Sequence, residues 1–140
     1  MKIEFKFLEE DKSQKIISFF QLLSKDASIG ILENRLKEMF QAGYKCIGIF
    51  DGDNIIGISG LWILVKYYVG KHIEPDNVVV LPEYRNKGVG NLLMQWIYNY
   101  AKETDCVASE LNCYVTNSSG QKFWANQGYK IIGFHYQKLL

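Results

Sequence analysis

Apolar and polar positions along this chain follow two different periods, and the switches between them mark its elements. Near the start, Ile3, Phe5 and Phe7 alternate with Lys2, Glu4 and Lys6. That period of two predicts a half-buried strand. Over residues 11–26, Ile16, Ile17, Phe19, Phe20, Leu22 and Leu23 fall on helical spacing, with Asp11 or Ser13 as the expected cap. A second helix is predicted over residues 28–44, with Leu32, Leu36, Met39 and Phe40 on one face and a stop near Gly43.

The pattern then turns to β. "KCIGIF" and "NIIGISGLWILV" are separated by Asp51-Gly52-Asp53-Asn54, and Asp-Gly between two apolar runs is a hairpin signal. "KHIEPDNVVV" follows as a third run, so an antiparallel meander is expected. Pro75 calls for an edge, a bulge or a turn into that strand. Leu92, Leu93, Trp96, Ile97, Tyr100 and Ala101 recur at helical spacing and predict a helix over about 90–103. "CVASELNCYV" reads as a strand. "NSSGQKFWANQG" reads as a short helix capped by Asn117 or Ser118 and stopped by Gly128. "YKIIGFHYQKLL" reads as strand, turn and strand. The order is β-α-α-β-β-β-α-β-α-β-β in a single domain over residues 1–140. The strand–helix–strand succession from Val78 to Val115 implies a parallel pair joined by a right-handed crossover. The rest reads as antiparallel, so the fold class is α/β with a mixed, mostly antiparallel sheet.

Composition narrows the chemistry. Hydrophobic residues make up 48% of the chain, which excludes a disordered protein. Sixteen basic and fifteen acidic side chains leave a net charge of +1. That balance supplies no general field for nucleic acid or an anionic membrane, so any anion site must be local. Cys46, Cys106 and Cys113 are odd in number and lack C-x-x-C spacing; buried free thiols are expected, not a disulfide framework or a zinc site. His72 and His135 show no metal or triad spacing, and no metal is expected. The first residues lack a signal-peptide core, and no apolar run is long enough to span a bilayer. The expectation is a soluble, cytoplasmic protein.

The candidate local anion site is Tyr84-Arg85-Asn86-Lys87-Gly88-Val89-Gly90, between a strand and a helix. A helix start carries unpaired N–H groups and a partial positive charge. Glycines let several N–H groups curl inward, and Arg85 and Lys87 add charge. Such a loop suits an anion with several oxygens, such as a pyrophosphate. A Walker loop is excluded, because Asn91 and Leu92 follow Gly90. A dinucleotide fingerprint is incomplete, because its third glycine is Leu93. An ordinary turn with surface charges is the competing reading.

The remaining pattern, Arg85-x-x-Gly88-x-Gly90 two residues after Pro82-x, resembles the central motif of the GNAT superfamily of N-acetyltransferases. "NSSGQKFWANQGY" is similar to that family's later motif, with Asn117, Gly128 and Tyr129 in register. The order of elements agrees over the whole chain. The resemblance implies that the backbone of Arg85, Asn86, Lys87, Gly88, Val89 and Gly90 holds the pyrophosphate of acetyl-CoA, with Asn91 at the helix start. It implies that the strand Val78-Val79-Val80 lies along the pantetheine arm, with the Val78 and Val80 main chains bonding to it. The two parallel strands would splay to admit it near Asn112. Asn117 would bond the pantetheine, cap its helix, or both. Lys122 reads as a solvated charge.

The implied reaction moves an acetyl group to a primary amine of a small molecule or peptide by direct attack in a ternary complex. An amine must lose a proton first, and Glu74 or Asp76 is the candidate base, each with a solvated surface charge as the competing role. The Val80 N–H is the candidate oxyanion donor. The family's tyrosine acid is replaced by Trp124, and an indole N–H donates a hydrogen bond without supplying a proton. Tyr114 and Tyr136 are other tyrosines that could act. Two alternatives follow: a weakly catalytic or non-catalytic acyl-CoA sensor of the same fold, or a nucleotide-binding regulatory domain. Tyr67, Tyr68 and His72 make one loop aromatic, suited to a wall around an amine or to a dimer contact. A homodimer is a family expectation. Neither nucleic acid nor a membrane is expected as a partner.

Overall fold

The computed structural model describes residues 1–140. Its elements are β1 (Ile3–Leu8), α1 (Ser13–Leu23), α2 (Ile29–Gln41), β2 (Lys45–Asp51), β3 (Asn54–Lys66), β4 (Gly70–Val80), α3 (Val89–Glu103), β5 (Ala108–Ser109) and α4 (Ser118–Asn126). One sheet of order β1-β2-β3-β4-β5 carries them. β1 to β4 are antiparallel neighbours, and β4–β5 is parallel. The mixed α/β fold expected from the pattern is the fold observed. No helix is long and apolar enough to cross a membrane.

Helices cover both faces, because each strand buries residues on both sides. Ile16, Ile17 and Phe20 of α1 and Leu32 and Leu36 of α2 pack with Cys46, Ile58 and Val79. Leu93, Met94 and Ile97 of α3 pack with Ile47, Ile49, Ile56 and Ile73 on the other face. Gly52, at φ +61°, takes the left-handed backbone that a two-residue hairpin loop needs, so β2 and β3 close where Asp-Gly predicted. Ser28 caps α2 through the Ile31 N–H, and Asn117 caps α4 through the Gly120 N–H. α1 differs from expectation. It follows a 3-10 turn at Glu10–Lys12, its N-cap is Lys12 without a side-chain bond, and Ser13 Oγ turns back to Glu10 O.

A β-bulge in β4 sets the orientation of the "VVV" stretch. Ile58 faces Val79 and Gly60 faces Asp76, so β4 spends three steps where β3 spends two. The extra residue is accommodated at Asn77, held at φ +52° with its Oδ1 accepting from Tyr44 Oη at 3.1 Å. Without it, Ile73 and Val79 would share a face. With it, Val79 joins the α1/α2 core, while Val78 and Val80 pack toward α3. Gly57 lies opposite Val80, and a Cβ there would sit 2.5 Å from Val79 O and 3.1 Å from Val80 Cα. Both are backbone atoms, so Gly57→Val must push β4 aside. A loss of about 3 kcal/mol in unfolding free energy is expected in urea denaturation; an unchanged midpoint would show that β4 gives way freely.

Three expectations need correction. "CVASELNCYV" pairs only at Ala108 and Ser109. "YKIIGFHYQKLL" forms no strand: residues 130–140 make no main-chain hydrogen bond, and their large apolar side chains lie exposed. An alternating pattern becomes a strand only where an edge accepts it, and within this chain none does. Of the three free thiols only Cys46 is buried, which pushes its pKa up to about 12; Cys106 and Cys113 are partly exposed.

Candidate active site

The site begins where β4 and β5 part. They pair at His72–Ala108 and Ile73–Ser109, and the last rung is Glu110 N–H to Ile73 O at 3.0 Å. In a parallel ladder the next rung would run from the N–H of residue 75 to Glu110 O. Residue 75 is proline and has no N–H. Pairing therefore stops, and Leu111 to Val115 diverge from β4 with no acceptor for their N–H groups. The Pro75 edge expected from sequence is the mouth of a cleft.

Val80 turns its main-chain groups away from β3, to the side of β4 on which β5 lies. Leu81 N–H bonds Ile56 O at 2.8 Å. The antiparallel alternation then makes Val80–Gly57 a non-hydrogen-bonded pair, which turns the Val80 N–H and C=O away from β3. Its C=O accepts from Arg85 Nε at 3.0 Å.

Six consecutive N–H groups, from Asn86 to Asn91, have no acceptor in the chain. Asn86 (φ +60°) and Gly88 (φ +82°) adopt left-handed backbone, and Gly88 is the N-cap of α3. This is the curled geometry that collects N–H groups into an anion seat. Buried Val89 and Leu93 anchor the first turn in the core. Nothing lies within 4 Å of a Cβ placed on Gly88, so the space above these amides is open. Gly90 differs: its Cβ would meet the Phe123 ring at 2.9 Å, so glycine here lets α4 dock on α3. Gln127 Nε2 completes that contact by bonding Asn91 Oδ1 at 2.7 Å. Lys87 Nζ lies 5.9 Å from the Tyr84 ring centroid, and Tyr84 Oη donates to Asp51 Oδ2 at 2.9 Å.

Asn117 accepts from Gly120 N–H at 2.9 Å, which leaves its Nδ2 without a partner. Trp124 is half-buried, edge-on to Phe123 (4.9 Å) and Tyr129 (5.4 Å), and its Nε1 has no partner. Tyr114 and Tyr136 are both largely exposed.

Beside the mouth lies a cavity of about 320 Å³ lined by Trp62, Leu64, Glu74, Pro75, Asp76 and Asn112. Both candidate carboxylates face it, but their settings differ. Asp76 is exposed, and its two oxygens accept from Trp62 Nε1 (3.1 Å) and Asn77 N–H (2.9 Å). Glu74 is half-buried; Oε2 meets His72 Nε2 at 2.8 Å, and Oε1 has no partner. His72 is fully buried, with Nδ1 3.3 Å from Gly70 O, and Glu110 Oε1 lies 3.9 Å from Nε2. Tyr68 Oη donates to Glu110 at 2.5 Å, and that bond raises the Tyr68 pKa. His72, Glu74 and Glu110 bring donor atoms within 4.8 Å of one another, close enough to share an ion. The hydrogen bonds already present account for their grouping.

Sequence reasoning missed His72 and Glu110 as supports of Glu74. The His72-x-Glu74 spacing was a usable signal, because residues two apart share a strand face. Glu110, thirty-six positions from Glu74, gave none.

The Acetyltransferase (GNAT) family model matches residues 10–129, and the chain belongs to the GNAT family of acetyltransferases. It is 31% identical over 143 residues to an uncharacterized N-acetyltransferase of Oceanobacillus iheyensis, covering 96% of this chain and 79% of that protein. Among solved structures, a possible acetyltransferase from Clostridium difficile superimposes with a TM-score of 0.84 at 17% identity, covering 100% of this chain and 98% of that one. The aminoglycoside N-acetyltransferase AAC(6')-Iy, solved in complex with CoA, superimposes with a TM-score of 0.82 at 16% identity over 98% of this chain and 95% of that one. At these identities the two structures establish the shared fold.

Proposed function

We propose that this protein transfers an acetyl group from acetyl-CoA to a primary amine of a small molecule or peptide, by direct attack within a ternary complex. The observation that carries the reading is the run of six unbonded N–H groups at the start of α3, beneath open space and next to a cleft that Pro75 keeps unzipped. The amides of Asn86 to Asn91, with the charges of Arg85 and Lys87, hold the pyrophosphate. The outward main-chain groups of Val78 and Val80 line the pantetheine arm, with Val79 between them bonded to β3, and the free Nδ2 of Asn117 donates to it. The bound thioester supplies an activated acyl group.

The chain's own part in the chemistry is to move a proton and hold a charge. An alkylamine has a pKa of about 10 and must be deprotonated before attack. Glu74 is the better base of the two, because Oε1 is free while both Asp76 oxygens are engaged. His72 keeps Glu74 aimed at the cavity. The oxyanion donor is a main-chain N–H of the "VVV" stretch. Val80 faces the cleft but lies six residues from Glu74, a span the bulge shortens to five strand steps, about 17 Å. Val78, turned outward by the same alternation, lies two steps nearer, about 10 Å. A bridging water brings Val78 and Glu74 to one reacting centre, so Val78 is the favoured donor and Val80 a binder of the arm. Trp124 walls the channel, and a thiol of pKa about 8.5 leaves without an acid.

Trp124, whose indole supplies no proton, favours a second reading, an acyl-CoA sensor without turnover. One experiment separates the two. Titration calorimetry with acetyl-CoA is followed by a thiol-release screen against primary amines. Saturable binding with amine-dependent release supports the transferase. Binding without release from any amine supports the sensor, and absence of binding removes both.

A further inference from the structure

The cavity beside the cleft is acidic, in a chain whose net charge is only +1. Glu74 and Asp76 line it together with Trp62, Leu64, Pro75 and Asn112, and no lysine or arginine does. Glu110 stands behind them, 3.9 Å from His72 Nε2. No lysine or arginine pairs with Glu74, Asp76 or Glu110; their one cationic neighbour is His72. Three carboxylates outweigh that imidazole even when it is protonated. A concave wall of one sign, with apolar surface beside it, focuses its field on whatever enters.

Deprotonating one amine takes one carboxylate, and Glu74 has the free oxygen for it. Asp76 is left over. Its two hydrogen-bond donors, Trp62 Nε1 and Asn77 N–H, are both neutral, so its charge has no counter-charge. Those bonds tie Asp76 toward Trp62 of β3, while His72 ties Glu74 toward Glu110 of β5. The two carboxylates thus mark opposite sides of the cavity. Half-buried Trp62 forms the wall next to Asp76, and an indole face beside a carboxylate is a seat for an ammonium group. Residues two apart on a strand stand about 7 Å from each other, and a four-carbon chain holds two nitrogens about 6 Å apart.

We propose that the acceptor is a short aliphatic diamine. One nitrogen attacks the thioester beside Glu74; the other stays an ammonium, held by Asp76 against Trp62. The inference rests on the transferase reading above and names its substrate class. The new bond is an amide C–N, and the bond that breaks is the thioester C–S. Of the two protons the attacking ammonium loses, one passes through Glu74 to solvent and the other ends on the CoA sulfur. The product keeps one ammonium. An amine bearing a carboxylate or a phosphonate is repelled from the same wall.

Acceptor kinetics at saturating acetyl-CoA test this with 1,4-diaminobutane, butylamine and 4-aminobutanoate, three primary amines of equal chain length. The diamine is expected to exceed butylamine in kcat/KM by about 10-fold or more, beyond the factor of about two that a second equivalent amine gives by counting. The amino acid should be the poorest of the three. In Asp76→Asn the diamine's advantage should shrink to about two-fold. Calorimetry of 1,4-diaminobutane against butylamine on the CoA-loaded unmodified protein reads the same preference without turnover, and added salt should erode it. Equal use of diamine and butylamine, a preference for 4-aminobutanoate, or an advantage that survives Asp76→Asn overturns the inference and leaves the transferase reading standing. The comparison on the unmodified protein holds even if the variant folds poorly. Thiol release from no amine at all removes the transferase reading, and the inference with it.

Discussion

Gly88→Trp is expected to weaken acetyl-CoA binding by about 100-fold, equivalent to about 2.7 kcal/mol, with the thermal midpoint shifted by only a few degrees. Two physical effects add. A non-glycine residue at φ +82° is strained, so the turn relaxes and the N–H groups from Asn86 to Asn91 lose their common direction. The indole then projects into the open space above them, since no atom stands within 4 Å of the new Cβ. That same openness is why the folded state tolerates the change. Gly90→Trp is the instructive contrast: it collides with Phe123 and displaces α4, so it should lower stability and binding together. Calorimetry alongside thermal denaturation separates the two outcomes. If Gly88→Trp bound acetyl-CoA as the parent does, the loop would be an ordinary turn.

Glu74→Gln is expected to lower kcat by about 100- to 1,000-fold, with KM for acetyl-CoA within about two-fold of the parent. Glutamine keeps the shape and a hydrogen-bonding oxygen for His72 but accepts no proton from the amine. Asp76→Asn should have a much smaller effect, because its oxygens already serve Trp62 and Asn77. Steady-state kinetics with any amine that supports thiol release decides the matter. A Glu74→Gln enzyme within about three-fold of the parent kcat would remove Glu74 as the base; a large loss in Asp76→Asn alone would pass the role to Asp76.

The order of elements was legible because period and turn chemistry agreed wherever packing is local. The hairpin at Gly52, the helix stop at Gly43 and the cap at Asn117 all involve residues within a few positions of one another. The glycine loop was legible for the same reason, since its N–H groups come from one short stretch. The candidate base was only half legible. Glu74 and Asp76 are equal in sequence and become unequal only when Trp62, fourteen positions away, occupies Asp76, and buried His72 turns Glu74. The α1 cap was misread because Asp11 lies in a 3-10 turn and Ser13 is already the first residue of α1. The last two strands were misread because periodicity describes a face and says nothing of which edge will receive it.

Pro75 draws the line between the two kinds of information. The sequence alone determined that β4 carries a residue without an N–H, that Asn86 and Gly88 interrupt the chain before a helix, and that residues 130–140 are patterned as strand. These are covalent facts about donors, φ angles and side chains. Only the tertiary structure decided what they do. It placed Pro75 at the one rung that would have closed β4 on β5, used the bulge at Asn77 to direct Val78 and Val80 toward α3, and left residues 130–140 without an edge of their own. Hydrogen-bond ladders and core faces are agreements between segments far apart in the chain, so each segment's sequence holds half of the agreement and the fold supplies the other.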